Sequence, residues 1–355
     1  MMIYYASFIP GLQQIVEGIV RERLPDVRIH KLLDGAVVFE SSCTYDKLNF
    51  FCFNNIFAVI DYFEQPCPKL SLESYIRKTC MRHLKSAVIS ENNRKIRSFR
   101  IITSMENRPA AVSEGARHDA ERLISGQSGL RLDRSAPDTE FWFLCRSEAA
   151  PSSKVLFVFM KRLTKHASLE KTLHKGELPP SLAYILCRLS QPKHTDTVMD
   201  PFCGYGSIPE QRLRHFPLEK FYAFDIDDTA LKYTRKKFSR TSPSKCCIQK
   251  TDITAVPSLL QTACLDAIIT DPPWGIYGQN IPPIDRFYRE MLAVFAGLLK
   301  PEGRAVILTA RNDSLPEAVK NTGGFEIVKG IPILLSGRKA VIFVLGVCGA
   351  LPKIV

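Results

Sequence analysis

The length and composition of the chain exclude several classes of protein. At 355 residues, with 45% hydrophobic and 24% charged residues, it has an ordinary globular composition and room for two or three domains. It has no apolar run of about 18 residues, so no membrane span is expected, and its start lacks the basic region of a signal peptide. Eleven cysteines without a C-x-x-C pair are typical of buried thiols in a reducing compartment, so we expect a cytoplasmic protein without a metal site.

The net charge of +12 is concentrated in three stretches of the chain. Residues 69–100 and 231–250 each carry a net charge of +7, and residues 154–175 add +5. Localised positive charge attracts polyanions, because each neutralised phosphate releases counterions. The pattern favours a nucleic acid partner, although solvated helix faces would show the same charge.

Residues 1–66 predict a small α/β unit. In chain order we predict a strand over 1–9, a helix over 12–24, and a hairpin of strands 27–33 and 36–41. Strand, helix and hairpin in this order indicate half of a ferredoxin-like module. Prolines at 66 and 68 predict its boundary at 66/67.

Residues 67–166 predict a second α/β unit. We predict, in order, a helix over 72–89, a strand over 98–104, a helix over 114–129, and strands over 139–147 and 153–164. The first helix carries a group of basic residues at helical spacings, and the last strand ends in a second group. These candidate RNA-binding residues are Arg77, Lys78, Arg82, Lys85, Lys161, Arg162 and Lys165.

Residues 167–194 predict a linker and the first helix of a last domain, and residues 195–355 alternate strands with helices. The predicted strands are 197–200, 220–226, 245–253, 265–271 and 304–310, with helices over 208–216, 229–238 and 284–300. Such alternation is typical of a parallel sheet covered on both faces. Two long strands within 324–347 would close the sheet with an antiparallel hairpin.

A glycine loop joins the first of these strands to its helix. It reads Asp200-Pro-Phe202-Cys203-Gly204-Tyr-Gly206-Ser. Glycines at this place let the backbone approach a ligand beyond the carboxyl end of the strand. Pro209 replaces the third glycine of G-x-G-x-x-G, which weakens a dinucleotide interpretation, and a plain turn remains an alternative.

Two further acids end the next two strands. Asp225 lies 21 residues after Gly204, where a carboxylate can accept hydrogen bonds from both hydroxyls of a ribose. Asp252 could accept from the amine of an adenine, with Ile253 against the ring. The alternative for Asp225 is a helix cap, whereas Asp252 taken alone could be an ordinary loop residue without a role.

The most specific motif is Asp271-Pro272-Pro273-Trp274, which follows the fourth strand of this series. An exocyclic nucleobase amine is a poor nucleophile, because its lone pair is delocalised into the ring. The carboxylate of Asp271 and the carbonyl of Pro272 can accept the protons of such an amine, and two prolines stiffen the backbone. Trp274 offers a face on which a flipped base can stack. A proline-rich loop with a buried tryptophan is the alternative.

These motifs, DPFCGYG, AFDID, KTDI and DPPW, resemble in order those of class I S-adenosylmethionine-dependent methyltransferases that modify amines. The chain as a whole resembles THUMP-domain RNA methyltransferases of the UPF0020 type, most like those that form N2-methylguanosine in tRNA. The resemblance implies a ferredoxin-like domain over 1–66, a THUMP domain over 67–166 and a Rossmann-like methyltransferase domain over 195–355. Its sheet would have seven strands, mostly parallel.

The resemblance also implies the role of each site residue. The catalytic loop would be Asp271 through Trp274. The residues that bind S-adenosylmethionine would be Asp200, Phe202, Cys203, Gly204, Gly206, Asp225, Ile226, Asp252, Ile253 and Asp271. Tyr205 and Ser207 depart from the threonines common in the glycine loop, and Trp274 replaces a commoner tyrosine.

The expected reaction is methyl transfer to N2 of a guanosine in structured RNA, with tRNA as the partner. Alternatives are methylation of rRNA guanine N2 or of adenine N6, and a non-catalytic THUMP protein that binds RNA. We expect a monomer that does not bind membranes, and some relatives use a small activator subunit.

Overall fold

The computed structural model divides the chain into two compact units. Its described residues are 1–45, 48, 51–66, 71–82, 87–90, 96–147, 154–164, 173–238, 244–275 and 282–348. Unit 1 comprises Met1–Phe8 and Gln13–Ala167, and unit 2 comprises Ile9–Leu12 and Ser168–Val355. None of the helices within these ranges has the length and apolar character needed to cross a membrane.

Unit 1 is built on one mixed sheet. Its strands are β1 (Met2–Ser7), β2 (Arg28–Leu33), β3 (Ala36–Ser41), β4 (Asn55–Pro66), β5 (Ser98–Met105), β6 (Arg108–Pro109), β7 (Arg131–Leu132), β8 (Thr139–Ser147) and β9 (Lys154–Arg162). Its described helices are α1 (Gln13–Arg23), α2 (Leu72–Met81), α3 (Ala87–Ser90) and α4 (Glu114–Ser128). The strand order is β2-β3-β1-β4-β9-β8-β5-β6, with β7 beside β5.

The strand β4 joins the two predicted N-terminal modules into one sheet. It pairs with β1 on one side and with β9 on the other, where the register runs from Phe57 opposite Arg162 to Pro66 opposite Lys154. The predicted boundary at 66/67 therefore does not separate two compact units, because one hydrogen-bonded sheet spans it. The predicted boundary after residue 166 falls one residue from the division between units 1 and 2.

Alternating aromatic residues on β8 and β9 form the core beneath α2 and α4. Phe143 stacks on Phe159 with ring centroids 4.2 Å apart, and Tyr75 of α2 packs on Phe157 at 5.3 Å. Ala120 of α4 belongs to the same buried cluster. Residues two apart in a strand point to the same face, so the Phe-x-Phe spacing of both strands produces this aromatic layer.

Unit 2 contains a seven-stranded sheet. Its strands are β10 (Thr197–Asp200), β11 (Lys220–Asp225), β12 (Cys246–Lys250), β13 (Leu265–Thr270), β14 (Leu299–Thr309), β15 (Phe325–Leu335) and β16 (Arg338–Val347). Its described helices are α5 (Pro180–Leu189), α6 (Ser207–His215), α7 (Asp228–Phe238), α8 (Ile284–Leu298) and α9 (Ser314–Thr322), with a 3-10 helix over Ile253–Ser258. The order is β12-β11-β10-β13-β14-β16-β15, and only the pairs made by β16 are antiparallel. The predicted mostly parallel sheet with a closing hairpin is confirmed.

Helix α8 illustrates why the sheet is buried. Tyr288, Met291, Leu292 and Phe295 follow one another at intervals of three and one residues along the helix, so they share one face. All four are fully buried in a cluster that includes Ile307 of β14. This packing anchors the helix against the sheet, with Tyr288 beside Thr309 at the carboxyl end of β14.

Candidate active site

Four aspartates lie at one edge of the sheet in unit 2. Asp225 ends β11, Asp200 ends β10, Asp271 follows β13, and Asp252 follows β12 by two residues. The four strands are neighbours and run parallel. Parallel strands present their carboxyl ends at the same edge, which is where ligands bind in open α/β sheets. The structure therefore brings together acids that the sequence places in four separate motifs.

The two glycines of the glycine loop have different surroundings. Gly204 has a φ of +49°, and a Cβ built on it would meet nothing within 4 Å. Gly206 has a φ of +81°, and its Cβ would lie 2.9 Å from Cγ2 of Thr234 on α7. The Thr234 hydroxyl also donates to the Gly204 carbonyl at 2.8 Å. Gly204 thus leaves open space for a ligand, whereas Gly206 lets α7 pack against the loop.

Asp225 connects the glycine loop to the end of the neighbouring strand. Its Oδ2 accepts a hydrogen bond from the Gly204 backbone N–H at 2.7 Å, and its Oδ1 accepts from Asp227 N–H at 2.9 Å. Burial raises the pKa of Asp225, and these two hydrogen bonds oppose the shift. Each carboxylate oxygen has a further lone pair, so the group can still accept from two hydroxyls.

Asp200 is the buried acid at the start of the glycine loop. It is 1% exposed, and its Oδ1 accepts hydrogen bonds from the Thr270 hydroxyl at 2.7 Å and from Phe202 N–H at 3.2 Å. Burial raises the pKa of Asp200 to about 8, and the nearby Asp225 and Asp271 raise it further. The carboxyl group of Asp200 thus ties β10 to β13, and its contact with the cofactor stays a prediction.

Phe202 and Cys203 also support the loop. The Phe202 ring packs against Phe287 of α8 at 5.7 Å, and the backbone N–H of Cys203 donates to the carbonyl of Phe224 at 2.9 Å. Cys203 is buried, and burial raises the pKa of its thiol well above the usual range. A thiol that stays protonated is a poor nucleophile.

Asp252 and Ile253, which the sequence analysis assigned to the adenine, differ in exposure. Asp252 is exposed and caps the 3-10 helix, since its Oδ1 accepts from the Thr254 N–H at 2.9 Å and from the Thr254 hydroxyl at 2.6 Å. Ile253 is only 6% exposed and packs in the core, so it offers little surface to an adenine ring. Ile226 is 61% exposed at the end of β11. It offers an exposed apolar side chain at this edge.

In the loop that follows β13, the side chain of Trp274 contacts the carboxylate of Asp271. The indole N–H of Trp274 donates to Oδ1 of Asp271 at 2.9 Å. Burial raises the pKa of Asp271 to about 7, and the hydrogen bond from Trp274 opposes that shift. Within the described part of the chain, no residue donates to Oδ2 of Asp271. One oxygen of this carboxylate therefore remains open for another donor.

Three residues that the sequence analysis did not select hold this loop. The guanidinium of Arg311 donates from Nε to the Trp274 carbonyl at 2.7 Å and from Nη2 to the Gly275 carbonyl at 3.0 Å. The Arg311 N–H donates to the Thr309 hydroxyl, which also bonds to the hydroxyl of Tyr288. The sequence signal that could have identified Arg311 was its position as a polar residue just beyond the carboxyl end of β14, the strand next to β13.

The basic residues predicted on α2 are exposed in unit 1. Arg77 forms ion pairs with Glu73 at 3.2 Å and with Asp119 at 3.5 Å, while Arg82 pairs with Asp61. Lys78 is exposed. Exposed ion pairs contribute little stability and can exchange for phosphate contacts. Lys85 and Lys165 lie outside the described residues.

The basic residues predicted at the end of β9 make internal contacts. Lys161 is 5% exposed, and its ammonium donates to the Val88 carbonyl at 3.1 Å. Arg162 is 11% exposed and donates to Glu140 at 2.9 Å. The prediction that Lys161 contacts RNA is therefore wrong, because its charged group is enclosed by protein.

The sheet order, the glycine loop and the acids at the strand ends define unit 2 as a class I methyltransferase domain. Residues 169–210 and 210–332 match the family described as UPF0020: RMKL-like, methyltransferase domain. This match lies within unit 2 and supports the UPF0020-type resemblance for the domain that carries the motifs.

Curated relatives extend the similarity beyond the domain. The chain is 23% identical over 281 residues to the tRNA (guanine(6)-N(2))-methyltransferase THUMP3 of Mus musculus, covering 75% of this chain and 55% of the relative. It is 29% identical over 223 residues to the tRNA (guanine(6)-N2)-methyltransferase of Thermus thermophilus, covering 62% and 65%. A tRNA (guanine(10)-N2)-dimethyltransferase of Methanothermobacter thermautotrophicus is 28% identical, covering 48% and 50%. The chain thus spans about half to two thirds of the length of these relatives.

Solved structures share the fold over nearly the whole chain. TrmN from Thermus thermophilus superimposes with a TM-score of 0.78 at 21% sequence identity, covering 98% of this chain and 100% of that one. A methyltransferase solved with SAH has a TM-score of 0.66 at 14% identity, covering 97% of each chain. At these identities the likeness concerns the fold, which agrees with the predicted fold class.

Proposed function

We propose that the protein is an RNA methyltransferase that uses S-adenosylmethionine to methylate the exocyclic N2 of a guanosine in tRNA. The observation that carries the proposal is the Asp271-Pro272-Pro273-Trp274 loop. This loop follows β13, and β13 pairs with β10, the strand that leads into the glycine loop. The match to a methyltransferase-domain family and the relatives named as tRNA guanine-N2 methyltransferases support it.

The residues around the glycine loop fit S-adenosylmethionine. Gly204 leaves open space, and Asp225 beside it has lone pairs for the two ribose hydroxyls. Ile226 offers exposed apolar surface, and Asp252 offers an exposed carboxylate, for the adenine end. When bound, this cofactor supplies an electrophilic methyl group.

The catalytic loop suits a weakly nucleophilic amine. The open Oδ2 of Asp271 and the carbonyl of Pro272 would accept the two protons of the guanosine amine and aim its nitrogen. Pro272 and Pro273 restrict the backbone, so little ordering is left for the moment of reaction. Trp274 supplies an aromatic face at the end of the loop against which the flipped base would stack.

The two carboxylates of the site should separate cofactor binding from catalysis. Asp225→Asn should weaken binding of S-adenosylhomocysteine by about 1.5–3 kcal/mol, because a charged acceptor is lost. Asp271→Asn should leave that affinity within a few-fold, because its partner is the target amine. Calorimetric titration of both variants makes the comparison. Equal affinities for wild type and Asp225→Asn would reduce Asp225 to a support of the glycine loop.

The substrate and the role of unit 1 rest on the relatives and on charge. Positions 6 and 10 of tRNA are the candidate targets, since the curated relatives are named for them. Exposed Arg77 and Lys78 on α2, with Arg82 just after the helix, would contribute phosphate contacts. We propose a monomeric cytoplasmic enzyme in which residues 67–166 form the THUMP domain and residues 1–66 the ferredoxin-like domain, both built into the one sheet of unit 1 through β4.

Methylation of defined transcripts with a cofactor labelled on its methyl group tests the proposal. Wild type and Asp271→Asn are each incubated with unmodified tRNA, with tRNA carrying adenosine in place of guanosine at position 6 or at position 10, and with an rRNA fragment. Mass spectrometry of the nucleosides identifies the product. We expect N2-methylguanosine in tRNA, its loss in one of the substituted transcripts, and a rate at least about 100-fold lower for Asp271→Asn.

The products also discriminate between the alternatives. N6-methyladenosine, or product confined to the rRNA fragment, would assign a different substrate to the same methyltransferase site. RNA binding without any product, in protein that binds S-adenosylhomocysteine, would favour a non-catalytic RNA-binding protein. N2,N2-dimethylguanosine would place the enzyme with relatives named as dimethyltransferases.

A further inference from the structure

We propose that Arg311 is a positioning residue that holds the catalytic loop through two consecutive backbone carbonyls. Its catalytic role rests on the function proposed above, whereas its grip on the loop does not. Arg311 lies two residues beyond Thr309, the last residue of β14, and β14 is the neighbour of the strand that leads into Asp271.

The contact has the geometry of a clamp. Nε of Arg311 donates to the Trp274 carbonyl at 2.7 Å, and Nη2 donates to the Gly275 carbonyl at 3.0 Å. The planar guanidinium presents these donors in a fixed fork, so two acceptors in sequence are held together with little further ordering. A lysine ammonium has the same charge but cannot offer that pair of directions.

Arg311 is itself held in place from two sides. Its backbone N–H donates to the Thr309 hydroxyl at 2.9 Å. The same hydroxyl lies 2.8 Å from the hydroxyl of Tyr288 on α8, and both Thr309 and Tyr288 are fully buried. The clamp therefore extends from the packed interface of α8 with β14, which is rigid because its side chains are closely packed.

Both ends of the catalytic loop are then anchored. Asp271 continues directly from β13, and Arg311 holds Trp274 and Gly275 at the other end. The Trp274 indole bonds to Oδ1 of Asp271, so the position of the Trp274 backbone determines which carboxylate oxygen remains open. Loss of the Arg311 contacts would leave Asp271 in place at the end of β13. It would release Trp274 and the backbone carbonyls between Asp271 and Trp274.

A fluorescence experiment tests the grip without any substrate. The chain has two tryptophans, Trp142 and Trp274, so Trp142→Phe leaves the indole of the catalytic loop as the only tryptophan signal. In that background Arg311→Ala and Arg311→Lys should each raise the acrylamide quenching constant of Trp274 by at least about 1.5-fold, since the released indole spends more time in solvent. Arg289→Ala, an exposed arginine on α8, is the matched control and should leave the constant unchanged.

Kinetics on tRNA test the catalytic consequence. Arg311→Ala should lower kcat about 10- to 100-fold, because a small displacement of a positioned group costs that much. The KM for tRNA and the affinity for S-adenosylhomocysteine should stay within about two-fold, since Arg311 contacts neither in the proposed site. Arg311→Lys should resemble Arg311→Ala, and thermal melting followed by circular dichroism verifies that each variant is folded.

The two readouts separate failure of this inference from failure of the proposed function. Increased quenching of the Arg311 variants in the Trp142→Phe background, together with a wild-type protein that methylates no RNA, would support the clamp and reject the function. Methylation of tRNA by wild type, with unchanged quenching and unchanged kcat in folded Arg311→Ala or Arg311→Lys, would reject the clamp and keep the function.

Discussion

Asp271 and Asp200 carry the same carboxyl group in different surroundings. Asp271 is half-buried and accepts one hydrogen bond within the described residues, from Trp274, whereas Asp200 is 1% exposed and accepts two. Burial is the largest influence on both and raises the pKa of Asp271 to about 7 and that of Asp200 to about 8. Ionisation near neutral pH should therefore alter catalysis at one residue and stability at the other.

Methyl transfer should depend on the ionisation of Asp271. The carboxylate accepts hydrogen bonds from the amine only when it is ionised, so single-turnover rates should rise with pH, with a midpoint near pH 7, and level off at higher pH. Trp274→Phe removes the hydrogen bond that lowers the pKa of Asp271, so the midpoint should move to higher pH. A profile that is flat between pH 6 and 8.5 would contradict this assignment.

Asp200→Asn should stabilise the protein increasingly as the pH rises. The pKa of Asp200 is raised in the folded state from 3.8 to about 8, so the folded protein binds more protons than the unfolded chain between these values. The free energy of unfolding contributed by this group therefore falls as the pH rises through that window. Asparagine keeps the Oδ1 acceptor for Thr270 and Phe202 but carries no charge. Melting curves from pH 6 to 9 should show a growing advantage of Asp200→Asn, and parallel curves would argue against a buried charge.

At the scale of elements, the two glycines of the glycine loop should respond differently to an added methyl group, because only at Gly206 would that group meet α7. Gly206→Ala places a Cβ 2.9 Å from Thr234 at a φ of +81°, so it should lower the free energy of unfolding by about 1–3 kcal/mol. Gly204→Ala adds a methyl group into open space, so it should cost only the strain of a positive φ, about 1–2 kcal/mol, and mainly weaken binding of S-adenosylhomocysteine.

A double-mutant cycle examines the contact that distinguishes the two glycines. Thr234→Ala removes the Cγ2 atom that the new methyl group of Gly206→Ala would meet, so the double variant should recover part of the lost stability. The same change should give no recovery in Gly204→Ala. Additive losses in both pairs would mean that the positive φ alone accounts for the effect at Gly206.

The sequence predicts most of the longer helices and strands but not β4 or α9, and it also misses the two-residue strands β6 and β7. β4 is long and half-buried along its second half, with Asp61 and Glu64 on it and a register shift between Val59 and Asp61. Pairing with β1 and with β9, which lies at least 88 residues away (Pro66 opposite Lys154), holds it in the sheet, and local alternation does not. α9 has nine residues and contains Pro316, so it would be marginal alone, and burial of Leu315 and Val319 stabilises it.

At the scale of the whole molecule, folding encloses some of the basic side chains that contribute to the positive charge of the sequence. Lys161 and Arg162 contribute to the basic stretch 154–175 in the sequence, but their charged groups face protein carbonyl and carboxylate oxygens. The exposed basic residues of α2 remain available to solvent. Net charge therefore overstates the charge that could meet an RNA in unit 1.

A single charge reversal on α2 tests whether unit 1 contacts RNA. Lys78→Glu should weaken tRNA binding and flatten the dependence of log K on log salt by about one unit, because fewer counterions are released. Arg131→Glu is the matched control, since Arg131 is 78% exposed on the same unit but lies outside the three basic stretches. The modified nucleotide should stay the same, because phosphate contacts do not read sequence. Superimposable salt dependences for wild type, Lys78→Glu and Arg131→Glu would leave α2 as a solvated helix face.

By itself the sequence determined the alternation of strands and helices in unit 2 and the four acidic motifs at the strand ends, because those signals are local in the chain. Only the tertiary structure decided which side each group faces. It buried Asp200 at the start of the glycine loop, enclosed Lys161, exposed Ile226 in preference to Ile253, and brought Arg311 to a carbonyl 37 residues away in the chain. These outcomes depend on the packing of elements far apart in sequence, which no local pattern of residues encodes.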